Sequence, residues 1–185
     1  MTITYIILGI IGFAVIVFIG IYNALIRRRN HVEEAWSDIE VQMKRRYDLI
    51  PNVVETVKGY ATHESSVLEN VTKARTTAMG ATNAQEKLQA ENMLSSTLKT
   101  LFAVAENYPD LKANANFLDL QRELADTENK IQSARRFYNS VVRDFNTMIQ
   151  SFPSNIIAGM FGFSEKEFFD LEDEAAREPV KVSFK

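Results

Sequence analysis

His63 and Glu64 are the two neighbouring residues of this chain that come nearest to a metal-binding motif. The zinc-protease pattern HExxH needs a second histidine four residues after the first, and that position is Val67. The only other histidine is His31, and neither histidine follows a glutamate by three residues, as the histidines of di-iron bundles do. The chain has no cysteine, which excludes thiolate metal sites and cysteine nucleophiles. The sequence therefore predicts no catalytic residue, no metal ligand and no cofactor-binding residue.

The sequence also lacks the usual signatures of nucleotide and acyl-transfer chemistry. It contains no glycine-rich phosphate loop and no nucleophile elbow. Its net charge of −3 argues against nucleic acid as the main ligand. We therefore expect a protein that is not an enzyme, and a stoichiometric, tightly bound iron or zinc ion would argue for the contrary.

The first 26 residues carry no charged side chain, and Arg27, Arg28 and Arg29 follow them directly. Residues 3–26 are almost entirely apolar, and about 20 such residues cross a bilayer core of about 30 Å. Because Lys and Arg are retained on the cytoplasmic side, the pattern predicts a single-pass signal-anchor with its N-terminus outside and the following domain in the cytoplasm. The run is too long for a cleaved signal peptide, and buried core helices rarely reach this length without a charge. We expect the three arginines to lie among lipid headgroups.

A second basic cluster consists of Lys44, Arg45 and Arg46. Glu40 precedes Lys44 by four residues, the spacing of an ion pair on one helix face. The favoured interpretation is therefore an ion-paired or snorkelling helix flank. The alternative is that the cluster forms a partner-binding surface.

An apolar stretch, residues 153–163, is interrupted by two glycines and is too short to span a bilayer. Packing against the preceding helices is slightly favoured, and the alternatives are the membrane interface or another protein. Residues 164–185 are predicted to form an acidic, solvated tail, because 164–178 hold seven acidic and two basic residues. The candidate partner-binding residues of this part of the chain are Phe152, Pro153, Ile156, Ile157, Met160, Phe161 and Phe163.

The elements that must position these residues are long helices. Residues 30–152 contain two glycines and two prolines, too few turn residues for a β-rich domain. A helix is predicted from about residue 111 to 151, and its apolar residues follow a 3,4 heptad spacing typical of a left-handed bundle or coiled coil. That seam is Phe117, Leu120, Leu124, Thr127, Ile131, Ala134, Tyr138, Val141, Phe145, Met148 and Phe152.

An earlier helix carries apolar residues from Val32 to Val57 and keeps its phase across Pro51, which predicts a kink and not a reverse turn. Gly59 is the expected break, with Thr62 as the cap of the next helix. Two further helices are expected, one ending at Gly80 and one running from about residue 82 to 108.

Together these patterns predict an all-α protein in which one N-terminal transmembrane helix precedes an antiparallel four-helix bundle. The predicted domains are the anchor at 1–26, the bundle at 27–152, the apolar segment at 153–163 and the tail at 164–185. If the first bundle helix continues the anchor, the chain returns to the bilayer after the fourth helix.

The long last helix also contains asparagines, which are weak helix formers. We expect them to specify register through buried hydrogen bonds, and a polar partner groove is the alternative. These residues are Asn114, Asn116, Asn129, Asn139 and Asn146.

These segments together resemble the LemA family. The resemblance is carried, in chain order, by YNALIRRRN (22–30), EAWSDI (34–39), KRRYDLIPN (44–52), YPDLKAN (108–114), NF (116–117), LQRE (120–123), ENKI (128–131), ARRFYN (134–139) and FPSNI (152–156). The resemblance implies a bacterial protein anchored in the inner membrane, with a four-helix bundle and no established enzymatic activity. Relatives are often encoded beside membrane zinc metalloproteases, and one branch is associated with building magnetosome membranes.

The leading functional hypothesis is a non-enzymatic, membrane-tethered scaffold or adaptor, acting with membrane proteases or in envelope maintenance. Its expected partners are the lipid bilayer and other membrane proteins, with a membrane metalloprotease as one candidate, and it could also form homo-oligomers. The alternative hypothesis is an oligomerising protein that shapes the membrane.

Overall fold

The computed structural model describes residues 2–169, and every regular element within that range is a helix. This confirms the predicted all-helical class. In chain order the helices are α1 (Thr2–Lys58), α2 (Ser65–Gly80), α3 (Ala84–Ala105), α4 (Pro109–Lys112), α5 (Ala115–Gln150) and α6 (Ser154–Met160).

Helix α1 joins the apolar segment to the packed part of the protein without a break. Its 57 residues extend about 86 Å at about 1.5 Å per residue. The chain stays helical through Pro51, so no reverse turn forms there, and α1 ends immediately before Gly59 as predicted. The predicted cap of the next helix is wrong: Thr62 lies in the turn, and Glu64 directly precedes α2.

The predicted start of the long last helix, near residue 111, is wrong. The chain forms the short helix α4 and then starts α5 at Ala115. Asn114 caps α5, because its side-chain oxygen accepts a hydrogen bond from the amide of Phe117 at 3.0 Å. Helix α3 also ends earlier than predicted, at Ala105.

Helices α1 and α5 pack along each other over most of the length of α5. Arg28 pairs with Asp144 at 3.3 Å, and Arg45 pairs with Glu123 at 2.8 Å. Residues later in α1 therefore contact residues earlier in α5.

Helices α2 and α3 lie beside only the later part of α1. The guanidinium Nε of Arg75 on α2 donates to the carbonyl of Tyr47 at 2.7 Å. Lys87 near the start of α3 lies 2.6 Å from Glu40. The part of α1 between its arginines and Glu40 therefore packs mainly against α5 and the residues that follow it.

The heptad seam of α5 faces the core over most of its length, but not at its end. Phe117, Leu124, Ile131 and Phe145 are buried, whereas Phe152, the last residue of the predicted seam, lies in the turn after α5 and is 80 % exposed. An α-helix drifts by about 20° per heptad against a strict 3.5-residue repeat. The buried face consequently shifts, and Val142 and Asn146, which are outside the seam, become buried as well.

Residues 163–169 run beside α5 without helical structure, and we call this segment the strap. Phe169 is 3 % exposed and belongs to the core. Residues 164–169 belong to the predicted solvated tail. Ser164, Glu165, Glu167 and Phe168 are indeed exposed, but hydrogen bonds and aromatic packing hold the segment against the helices. The rest of the predicted tail lies outside the described residues.

Candidate functional site

The first 19 residues of α1, residues 2–20, make almost no contact with the other helices, and we call them the bare segment. From Ile3 to Gly20 its side chains are exposed except for Phe18, which packs on Phe161, and continuous packing begins at Ile21. These 18 residues span about 27 Å, close to the thickness of a bilayer core of about 30 Å. Among the described residues, α1 is the one helix long and apolar enough to cross a membrane. The predicted anchor at 1–26 thus has a bare portion and a last portion that is packed, with Leu25 fully buried.

The three arginines follow the packed portion of the anchor. Arg28 pairs with Asp144 on α5, and both side chains are about half exposed or more. The guanidinium of Arg29 lies 5.6 Å from the ring centroid of Phe163. Arg27 is exposed and lines an open depression together with His31. This part of α1 therefore presents cations about two turns beyond the bare helix.

Helix α6 returns to the apolar end of α1. The ring of Phe161 lies 4.6 Å from that of Tyr22 and 6.0 Å from that of Phe18. Ile157 is 5 % exposed and packs on the helices, while Phe163 is half-buried against Tyr22 and Arg29. The residues after α5 thus lie beside the apolar end of α1, as the expected return to the bilayer requires.

The other candidate residues of this stretch keep about half or more of their surface exposed. Phe152, Ile156, Met160 and Phe161 have exposed fractions of 80 %, 55 %, 67 % and 49 %, and Pro153 is exposed as well. One face of the predicted apolar stretch therefore packs against the helices, and the other is open.

The second basic cluster does not form one exposed surface, and partner binding by its residues stays a prediction. Lys44 is exposed, and Arg45 is exposed and paired with Glu123. Arg46 is 1 % exposed. Consecutive helical residues point about 100° apart, and Arg46 lies on the buried face that also carries Met43.

Arg46 is the centre of a buried ionic network. Its guanidinium is paired with Glu91, which is fully buried, and with Glu128, whose side chain is 34 % exposed. It also donates to the hydroxyl of Ser95 at 3.1 Å, and the hydroxyl of Tyr47 donates to Glu91. Burial lowers the pKa of Arg46, and the charge of Glu128 opposes that shift. Burial also raises the pKa of Tyr47.

Sequence reasoning missed Glu91 although a signal was present. Glu91 lies three residues after Leu88 and three before Leu94, both of which are on the apolar face of α3. A carboxylate at such a position needs a buried cation, and Arg46 occupies the matching position on α1.

An open cleft of about 290 Å³ lies over this network, between α3 and α5. Arg46 lies about 28 Å beyond Arg27 along α1, so the cleft is far from the bare segment. The apolar part of its lining is Leu98, Phe102, Leu124 and Ala125, and the polar part is Arg46, Ser95, Lys99, Gln121, Glu128 and Gln132. Within the described part of the chain, no group of three or more His, Cys, Asp or Glu residues could hold a metal ion.

Two asparagines of α5 hold the strap by its main chain. Asn146 exchanges two hydrogen bonds of 2.9 Å with the backbone of Lys166. Asn139 does the same with Phe169, at 2.8 and 3.0 Å. Seven helical residues rise about 10.5 Å, and three extended residues cover about 10 Å, so the two spacings match. These asparagines thus fix the position of the strap, and the strap fills the groove beside them.

The sequence profile of the LemA family matches residues 35–184 of the chain. "Protein LemA" of Metamycoplasma hominis is 28 % identical over 176 residues, which cover 90 % of this chain and 80 % of that protein. "Magnetosome protein MamQ 2" of Paramagnetospirillum magneticum and "Magnetosome protein MamQ" of Magnetospirillum gryphiswaldense are each 24 % identical over 185 residues. Both alignments cover 86 % of this chain and 68 % of the relative.

Proposed function

The chain belongs to the LemA family, and on that premise we propose that it is a non-enzymatic scaffold or adaptor that a single helix tethers to the membrane. The observation that carries this proposal is the continuity of α1. One helix includes both the bare apolar segment and the first element of the packed domain. From Arg27 to Lys58 it extends about 47 Å, so the domain would be held at a defined height above the bilayer.

We infer that the packed domain is an antiparallel four-helix bundle made of α2, α3, α5 and the later part of α1. The opposite residue order in the contacts between α1 and α5 supports this arrangement. Helices α4 and α6 have four and seven residues and are too short to count as bundle helices.

The proposed orientation places the N-terminus outside and the bundle on the cytoplasmic side of a bacterial inner membrane. It is supported by Arg27, Arg28 and Arg29 at the end of the apolar segment, since Lys and Arg are retained in the cytoplasm. A reporter enzyme fused after Lys185 tests this orientation. Activity of a reporter that works only in the cytoplasm is expected, and activity of one that works only outside would reverse it.

The open cleft between α3 and α5 is the surface through which we propose that the scaffold contacts another membrane protein, a membrane metalloprotease being one candidate. Its mixed apolar and polar lining supports a protein contact. A photo-crosslinking side chain at Lys99, beside the cleft, should give a product of defined mass in intact membranes. The same side chain at Lys73, exposed on α2, is the matched control.

The cleft itself can be filled to complete this test. Gln121→Trp places a bulky side chain in the cleft lining and should remove the product formed from Lys99. If Lys99 gives no product above the Lys73 control, or if the product survives Gln121→Trp, the proposed contact is wrong.

A second candidate function is membrane shaping by an oligomer of this chain. The supporting observation is that relatives aligned over most of the chain are named magnetosome proteins. Purified protein should then curve or tubulate liposomes at high surface density. Liposomes that keep their shape at that density would remove this candidate.

A further inference from the structure

Four large apolar side chains form an exposed surface beside α6, and we call it the apolar underside: Phe152, Ile156, Met160 and Phe161. Their exposed fractions lie between 49 % and 80 %. No charged residue occurs between Gln150 and Glu165. A contiguous apolar patch without charges is typical of a contact surface and not of a face in water.

The helix that carries this surface has two distinct faces. Ile157 and Ala158 are buried against the rest of the protein. Ile156 and Met160, four residues apart, lie on the opposite face and are exposed. Ile156 and Met160 are therefore the side chains that remain exposed after α6 has packed, and Phe161 keeps about half of its surface exposed while it packs on α1.

The level of the apolar underside along α1 can be read from its contacts. Phe161 packs on Phe18 and Tyr22, at the point where the side chains of α1 change from bare to packed. Tyr22 precedes Arg28 by six residues, or about 9 Å along the helix. The apolar underside thus lies on the lipid side of the arginines, next to the boundary of the segment that would span the bilayer.

The end of α5 independently places the apolar underside at the same level along α1. Asp144 pairs with Arg28, and α5 continues for six residues after it, to Gln150. These six residues advance about 9 Å toward the bare end of α1, because the two helices run in opposite directions. Phe152 follows directly and is 80 % exposed.

We propose that the apolar underside lies in the bilayer, at the boundary between headgroups and acyl chains, as a second and non-spanning membrane contact. The bilayer is the occupant because the surface is continuous with the spanning segment, and because the flanking arginines match headgroup phosphates. Apolar and aromatic side chains of interfacial helices bind at this depth. The inference rests on the proposed function in one respect, namely that α1 spans the membrane.

A second contact would change what the tether does. A single spanning helix leaves the attached domain free to turn about the helix axis. A contact through Ile156 and Met160 lies beside that axis, so it would fix the rotation of the domain. The cleft between α3 and α5 would then face one constant direction relative to the membrane plane.

Tryptophan fluorescence of the full chain in phospholipid vesicles tests the proposal. Trp36 is the only tryptophan, so Trp36→Phe gives a silent background. On that background Ile156→Trp reports on the apolar underside, and Met93→Trp, which is 57 % exposed on α3, is the matched control. Ile11→Trp in the bare segment reports on the spanning helix. Vesicles contain phosphatidylcholine and phosphatidylglycerol, with acyl chains brominated near either the headgroup or the tail end.

The expected result is that Ile156→Trp loses emission with the shallow bromines, while Met93→Trp is quenched only by aqueous iodide. If the protein floats with the vesicles and Ile156→Trp behaves like Met93→Trp, the inference is wrong and the tether stands. If Ile156→Trp is shielded from both bromines and iodide, a protein covers the surface, which also overturns the inference. If the protein does not float and Ile11→Trp is not quenched by the deep bromines, the tether itself fails. Met160→Trp provides a second reporter should Ile156→Trp not fold.

Discussion

Replacing Arg46 by methionine tests most directly whether the buried ionic network holds the domain together. The replacement removes the guanidinium but keeps a long side chain in the core. Glu91, which is fully buried, would lose its cationic partner. Breaking a buried ion pair by removing one partner costs about 3–5 kcal/mol. We expect the free energy of unfolding to fall by about that amount.

The two carboxylates of the network should contribute unequally, because their exposure differs. Glu91→Ala leaves Arg46 paired with Glu128, so we expect a loss of about 1.5–3 kcal/mol, the range for a hydrogen bond to a charged group. Glu128 is 34 % exposed, and Glu128→Ala should cost about 1 kcal/mol or less. The double variant R46M/E91L should be more stable than R46M alone, because it leaves no unpaired charge in the core.

The measurement is urea unfolding of the full chain in detergent micelles, followed by far-ultraviolet circular dichroism and by the fluorescence of Trp36. Arg122→Met is the matched control, because Arg122 is 75 % exposed and pairs with Asp119 on the same helix. It should change the free energy of unfolding by less than about 1 kcal/mol. The reasoning fails if R46M is as stable as this control, or if Glu128→Ala costs as much as R46M.

The remaining predictions concern the strap, the start of α3 and the anchor. Replacing both Asn139 and Asn146 by alanine should release the strap and shift the emission of Trp36 to longer wavelength, because Phe169 packs 5.5 Å from the indole ring. Hydrogen bonds from Thr82 hold the pKa of Glu86 below its usual 4.5. The stabilising effect of the Glu86 carboxylate is therefore present above about pH 4.5 and is lost as the pH falls through the lower folded-state pKa. The difference in stability between wild type and Glu86→Gln, measured by thermal unfolding, should therefore shrink on acidification. Ile11→Arg places a charge in the bare segment at a cost of about 2.5–3.5 kcal/mol and should make part of the protein extractable at alkaline pH.

Each of these predictions has a control on the same element or an outcome that contradicts it. Asn129→Ala, exposed on α5, should leave the emission of Trp36 unchanged, and an equal shift would show that the strap is not the cause. For Glu86, a stability difference that grows on acidification would reverse the assigned sign. Ile11→Leu should remain fully in the membrane fraction, and identical extraction of both variants would contradict a spanning role for this segment.

The sequence was sufficient for the parts of the fold that depend on local periodicity. The continuity of α1 through Pro51 and its end at Gly59 followed from apolar phase and from a single helix-breaking residue. The start of α5 was predicted too early because the residues after Pro109 are compatible with a helix. The preference of Asn114 for the cap position, where its side chain binds the amide of Phe117, decided the boundary.

The parts that depend on contacts between distant residues could not be read from periodicity. Arg46 belongs to a basic run in the sequence, and only its pairing with Glu91, 45 residues later, explains why it is buried. The strap has no apolar period of its own and is held through its main chain. Its composition therefore resembled a solvated tail, although Asn139 and Asn146 offered the matching polar positions on α5.

The strap is needed where the bundle has the fewest helices. Near the end of the packed domain that adjoins the bare segment, α2 and α3 are absent, and two helices alone cannot enclose the apolar faces of α1 and α5. There Phe163 packs on Phe145, with ring centroids 6.5 Å apart, and Phe169 packs on Trp36. The strap thus supplies the aromatic side chains that a third helix would otherwise provide. Because the strap follows α6 after only two residues, the same stretch of chain that covers this core also holds the apolar underside beside Phe18 and Tyr22 of α1.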